Sequence, residues 1–188
     1  TMRTDPGGKG INVSKVIKKL GGESTAAGIL GGNTGRAISL ALEAMEIKTG
    51  FWFVEGETRT NLKVIDPVNH TNTDLNEPGI TVSGEILEGL LQELLLEVNE
   101  GDIVVLSGSL PKGSPKDTYA AWVRACKKAG AKVILDADGE LLVNGMQASP
   151  YLIKPNNHEL SALTGETLKT PDALKKAARS LMQKYDIA

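Results

Sequence analysis

Six short segments of the chain carry residue types that can do chemistry. The segment PGGKGIN, at 6–12, lies where a loop enters a helix. Its glycines let backbone N–H groups approach an anion, the helix N-terminus adds partial positive charge, and Lys9 adds a full one. A Walker A loop is excluded, because Gly10 follows Lys9 where Ser or Thr is required. The plainer alternative is a flexible lead-in with Asn12 capping the helix. GILGGNTG, at 28–35, lacks the G-x-G-x-x-G spacing of a dinucleotide loop and reads as a tight turn with close helix packing. In ETRTN, at 57–61, the fork of Arg59 can clamp a phosphate or sugar hydroxyls; the commoner fate of such a residue is solvation on an exposed strand. SGSLP, at 107–111, follows an apolar strand, and ligands of open α/β sheets bind beyond the carboxyl ends of strands. A Ser/Gly/Pro turn without function fits it too. ILDADG, at 134–139, puts Asp136 and Asp138 at a strand end, one closing the strand and the other capping the next helix. IKPNNHE, at 153–159, has the Asn156/Glu159 spacing of a capping box. Lys154 and Glu159 are at the same time placed to meet a nucleotide phosphate and a metal ion. His70 and His158 are the only histidines and Cys126 the only cysteine, which excludes a zinc set and a Cys/His nucleophile pair.

Regular structure must position these segments. Val13, Val16, Ile17 and Leu20 recur at helical spacing over 12–20, and Gly21-Gly22 stops the helix. A strand over 24–30 and a helix over 34–45, with Ile38, Leu42 and Met45, follow. The stretches 51–54 and 61–65 and a third short strand near Leu75 are more polar than core strands and are expected to form a small exposed sheet or hairpin. From Val82 onward the pattern is regular: a helix through Ile86, Leu87, Leu90, Leu91, Leu94 and Val98, a strand 103–106, a helix 116–129 and a strand 132–135. A short helix 140–146, a strand 151–153 and helices after Asn156 and after Pro171 complete it. Short apolar strands alternating with helices indicate an α/β fold with a mostly parallel sheet covered on both faces. The expected division is a core of 1–50 and 80–188 with a β lid at 51–79.

Composition narrows the function classes. The chain has 188 residues, 21 basic and 23 acidic, for a net charge of −2, and a pI near 5.8. That is not the basic surface of a general nucleic-acid binder. With 40% hydrophobic and 23% charged residues and a mean hydropathy of −0.13, it belongs to the ordinary globular class. A chain of this size buries roughly 70% of its unfolded surface and needs no disulfide or metal to hold a core. The single cysteine and the lack of an apolar run long enough to span a membrane point to a reducing, cytoplasmic setting. Glycine is enriched, 21 of 188 residues, against a usual ~7%.

The order of the motifs carries a resemblance. PGGKGIN, LGGNTG, ETRTN, LNEPG at 75–79, SGSLPKG and LIKPNNHE succeed one another as in the ribokinase-like (PfkB-type) carbohydrate kinases, and most resemble the 1-phosphofructokinase and tagatose-6-phosphate kinase branch. The resemblance implies a three-layer, ribokinase-like fold with a small β lid. It implies that Gly8, Lys9, Gly10 and Asn12 bind the sugar phosphate, that Arg59 and Asn61 close over it from the lid, and that Gly108 and Ser109 line the same pocket. It implies that Lys154 and Asn156 contact ATP, that Glu159 organises Mg²⁺, and that two copies pair through the lid sheet. The family's catalytic aspartate stands in a G-A-G-D sequence, and no G-x-G-D occurs here; Asp102, in Glu100-Gly101-Asp102, precedes a strand and does not inherit the role. The N-terminal sugar-binding strand and the adenine segment are missing as well, so the chain reads as an internal piece of a longer kinase, inactive by itself, with exposed edges where the missing strands would pack. Two readings from other classes stand beside this one. DADG resembles the D-x-D-G motif of haloacid dehalogenase-type phosphatases, with Asp136 as nucleophile. Against that, Glu140 replaces the usual Thr or Val and the motif lies deep in the chain. The other is a non-catalytic sugar-phosphate binding module.

Overall fold

A computed structural model describes residues 4–188, which divide into two compact units. The first comprises the chain up to Leu87 together with Leu110–Gly113, and the second comprises Glu88–Ser109 and Ser114–Ala188.

In the first unit, helix α1 (Lys9–Lys19) leads into strand β1 (Thr25–Gly31), helix α2 (Gly32–Ala44) and strand β2 (Lys48–Val54). β1 and β2 pair in parallel, from Thr25↔Lys48 to Gly31↔Val54, so β1, α2 and β2 form one β-α-β turn of the chain. Its core is Ala26, Leu42 and Ile47, against which Ile11, Ile38 and Phe51 pack. Residues 51–54 therefore belong beside β1 and not with the exposed hairpin. Their alternation suits either site, because a strand paired on one side has the same two-residue period as a hairpin strand. Phe51 faces the core cluster, whereas Phe53 is 50% exposed. The hairpin itself is β3 (Asn61–Asp66) and β4 (Thr71–Asn76), antiparallel, with Leu62 opposite Leu75. Its turn is held by the Asp66 carboxylate, which accepts from the N–H groups of Val68 and Asn69 and from Asn69 Nδ2. Those hydrogen bonds, the side-chain one foremost, hold the Asp66 carboxyl below its ordinary range.

The second unit holds the parallel sheet β5 (Ile103–Ser107), β6 (Lys132–Asp136) and β7 (Leu152–Ile153), in that order. Helices α4 (Thr118–Lys128), α5 (Gly139–Met146), α6 (Asn157–Thr164) and α7 (Pro171–Tyr185) complete it, and α3 (Gly84–Glu97) runs from the first unit's residues into the second's. The apolar alternation of β6 buries Val133 and Leu135 completely, and Val123 and Cys126 of α4 and Leu142 and Met146 of α5 are buried as well. Burial also pushes the Cys126 thiol pKa up, which makes it a core residue and not a nucleophile. Leu160 of α6 packs with Ala177 and Leu181 of α7 in a separate cluster. Among the described residues no helix is long and apolar enough to cross a membrane. Some large apolar side chains stay in solvent, Leu20 at 81% and Leu96 at 85% exposure among them.

Two substitutions test this packing. A Cβ at Gly145 of α5 would run into the terminal methyl of Leu135, a fully buried side chain that would have to shift within the core. Alanine gains ~1 kcal/mol of helix propensity over glycine, but overpacking a filled core costs about 1–3 kcal/mol. Gly145→Ala is therefore expected to destabilise, lowering the urea midpoint with an unchanged denaturant slope. At α6 the expected capping box is present: Asn156 Oδ1 accepts from the N–H groups of His158 and Glu159, both at 2.9 Å, and the Asn156 N–H donates to Glu159 Oε2 at 2.8 Å. Asn156→Ala should cost about 1 kcal/mol in the same titration and speed amide exchange at His158 and Glu159.

Candidate functional site

The glycine-rich segment at 6–12 opens α1 three residues earlier than its apolar period suggests. Gly8 is the N-cap, at φ 132°, with no side-chain cap bond, and such a φ strains any residue with a Cβ. Asn12, expected as the cap, lies inside the helix instead, its N–H donating to the Gly8 carbonyl at 2.9 Å. The added residues are Lys9, Gly10 and Ile11, and one apolar side chain beside a glycine and a lysine is too little to extend a hydrophobic period. Lys9 and Gly10 thus occupy that turn, where N–H groups point out of the helix end. The loop before it is pinned by Lys15, whose Nζ reaches Asp5 Oδ1 at 3.0 Å and the Pro6 carbonyl at 3.1 Å.

The second glycine-rich segment is arranged differently. At the start of α2 the Glu57 carboxylate accepts from the N–H groups of Asn33 (3.2 Å) and Thr34 (2.6 Å). The Thr34 bonds are the largest of several that hold the Glu57 carboxyl below its ordinary pKa. Gly32, at φ +64°, leaves the room: a Cβ there would fall onto the Glu57 carboxylate. The anion site at this helix end is filled by the protein itself, which agrees with a packing role for GGNTG. Next to it, Thr58 Oγ1 accepts from the Gly31 N–H at 2.8 Å while the Thr58 N–H donates to the Gly31 carbonyl at 3.0 Å. Arg59 follows immediately, exposed, its stem running past Gly79, where a Cβ would come within 3.4 Å of Arg59 Cδ. The Thr60 N–H donates to Glu77 Oε2 at 2.7 Å, tying ETRTN to LNEPG at the foot of the hairpin. Asn61 is the first residue of β3, opposite Asn76.

In the second unit the strand ends converge. The register sets Ser107 beside Asp136. The Gly108 N–H donates to the Asp136 carbonyl at 3.0 Å, and Tyr119 Oη donates to the Gly108 carbonyl at 3.0 Å. Gly108 itself is at φ 90°, so the SGS turn is held in a glycine conformation from both sides. Burial, and then the carboxylates of Asp138 and Asp136, raise the Tyr119 pKa and keep its hydroxyl a donor. Ser107 Oγ is buried without a hydrogen-bond partner, and Ser109 is exposed. Lys154, beyond β7, reaches Asp136 Oδ2 at 3.4 Å with its side chain 67% exposed. Asp138 stands at the N-cap of α5 but makes no side-chain cap bond, contrary to the expected capping role. Asp102 accepts from the Asn99 N–H at 2.8 Å, closing a turn, which agrees with leaving it out of catalysis.

Within the first unit, then, the chain gathers Arg59 and Asn61 at the hairpin foot and puts Gly8, Lys9, Gly10 and Asn12 at the opening of α1. Within the second it gathers Gly108, Ser109, Asp136 and Lys154 at strand ends, with Asn156 and Glu159 on the following helix turn. Glu57 and Tyr119 are functional candidates that the residue patterns passed over. Their partners lie 23 and 11 positions away, beyond any local motif. Among the described residues no group of three or more His, Cys, Asp or Glu side chains is placed to hold a metal ion.

Comparison with known proteins places the chain in a family. The chain is 38% identical over 178 residues to the 1-phosphofructokinase of Bacillus subtilis, covering 95% of this chain and 57% of that protein. It is 41% identical over 187 residues to the 1-phosphofructokinase of Xanthomonas campestris, covering 97% and 58%. Among solved structures, phosphofructokinase-2 from Escherichia coli in complex with substrates and products superposes with a TM-score of 0.89 at 33% identity, over 96% of this chain and 59% of that one. The chain thus spans under two thirds of the length of these relatives. The profile of the pfkB family carbohydrate kinases matches residues 1–187, and the chain belongs to that family.

Proposed function

We propose that this chain carries the sugar-phosphate-binding part of an ATP-dependent kinase that converts fructose 1-phosphate to fructose 1,6-bisphosphate in the cytoplasm. The observation that carries this reading is that relatives matching nearly the whole chain at 38% and 41% identity are 1-phosphofructokinases. Gly8, Lys9, Gly10 and Asn12 bind the sugar phosphate through the N–H groups of a helix end and an ammonium. Arg59 and Asn61 close over it, and Gly108 and Ser109 contact the sugar. Lys154 and Asn156 meet the nucleotide, Lys154 steadied by Asp136. Phosphoryl transfer depends mainly on positioning and charge neutralisation, and these groups supply both. When bound, ATP would supply the phosphoryl group and Mg²⁺ would offset its charge. Glu159, on the first turn of α6, would meet such a cation together with phosphate oxygens and water. The proton of the attacking hydroxyl needs a base that the 188 residues do not include, no G-x-G-D being present.

Calorimetry tests the binding part. Fructose 1-phosphate should bind the 188-residue chain, and Lys9→Ala and Arg59→Ala should each weaken it about tenfold, as loss of one charged hydrogen bond does. No heat with any variant overturns the binding assignment. The same chain should transfer no phosphoryl group from ATP to fructose 1-phosphate or tagatose 6-phosphate, and measured turnover would overturn the assignment of the base to a G-A-G-D segment.

The hairpin supports a second copy of the chain as partner. Leu62, Val64 and Leu75 are half-exposed, and Leu62 and Leu75 face each other across the ladder. The resemblance assigns this surface to a dimer. Leu62→Asp should then shift sedimentation toward the monomer.

A further inference from the structure

The kinase reading assigns Arg59 and Asn61 to the ligand but leaves unexplained what fixes them. Arg59 lies just before, and Asn61 at the start of, an exposed hairpin whose strands bury almost nothing, so burial within the hairpin does not hold them. What does is a set of polar ties on either side of Arg59. On the N-terminal side the Glu57 carboxylate takes the Asn33 and Thr34 N–H groups, and Thr58 exchanges two hydrogen bonds with Gly31. On the C-terminal side the Thr60 N–H is taken by Glu77, and Gly79 lies under the Arg59 stem. We propose that Glu57 is a positioning residue: by filling the helix end of α2 with its own carboxylate it fixes the bearing of Arg59, and so sets sugar-phosphate affinity without touching the ligand.

The chemistry is specific to a carboxylate. Two N–H donors converge on it, so an amide in its place must turn an oxygen to one donor and bring an NH₂ against the other. The helix end favours negative charge as well. Gly32 admits the carboxylate where any side chain would block it, so Gly32 and Glu57 form one device. The proposal rests on the sugar-phosphate reading of Arg59, and its test separates the two.

Glu57→Gln should weaken fructose 1-phosphate binding about tenfold in the native chain and have no further effect in an Arg59→Ala chain, since a residue acting only through Arg59 has nothing left to act on. Equal losses in both backgrounds, or none in the native one, overturn the proposal. Glu57→Asp keeps the charge but falls short of the helix end, and should reproduce the loss; native affinity in that variant also overturns it. Amide hydrogen exchange provides a readout that needs no ligand: both variants should exchange faster at Asn33, Thr34 and Arg59–Asn61, with Leu42 in the core unchanged. If the unaltered chain takes up no fructose 1-phosphate, the sugar-phosphate reading falls, and exchange at Arg59–Asn61 decides by itself. Acceleration upholds the anchor and native rates overturn it.

Discussion

The first turn of a helix leaves N–H groups that its own carbonyls cannot reach, and much of this chain is arranged around how those groups are met. α6 meets them locally, with the reciprocal Asn156 and Glu159 bonds, and α7 does so with the Thr170 hydroxyl on the Ala173 N–H. α2 meets them from a distance, with a carboxylate that arrives from beyond the next strand. α1 opens from Gly8 with no side-chain cap. These are different solutions to one electrostatic problem. A helix end closed by the protein's own carboxylate serves architecture, and one left to a glycine and a lysine suits an incoming anion.

The same logic separates the two glycine-rich segments, which look alike in the sequence. GGKG and GGNTG both combine small residues with an adjoining helix. Only the path of residues 55–58 back to the start of α2 tells them apart. In GGNTG the glycine is required because Glu57 comes close to Gly32. In GGKG the N-cap glycine is required by its own backbone angle.

What was legible in the sequence was what depends on near neighbours. The periodicity of 86–98 predicts α3, the short apolar runs at 103–106 and 133–135 predict β5 and β6, and the spacing of Asn156 and Glu159 predicts the capping box. The order of six motifs was enough to identify the family. The failures share a physical cause, which is dependence on partners remote in the chain. Phe51–Val54 alternates as any half-exposed strand does, and only its pairing with β1 makes it part of the core. Asp138 has the residue type of a cap but not the bond. Glu57 stood inside a recognised motif, yet its role depends on two N–H groups that local patterns do not place.

The clasp between Glu57, Thr58 and the start of α2 has a kinetic side. Its ties span 23 to 27 positions, about the same as the β1–β2 pairing from Thr25 to Lys48. Loop-closure entropy changes little over that range, so once the strands meet, the carboxylate is delivered to the helix end at almost no additional entropic cost. These contacts are also complete within residues 25–58, well ahead of α4 to α7. A ribosome releasing the chain from its N-terminus thus lets the foot of the hairpin be set, with Arg59 next to it, while the second unit is still being synthesised.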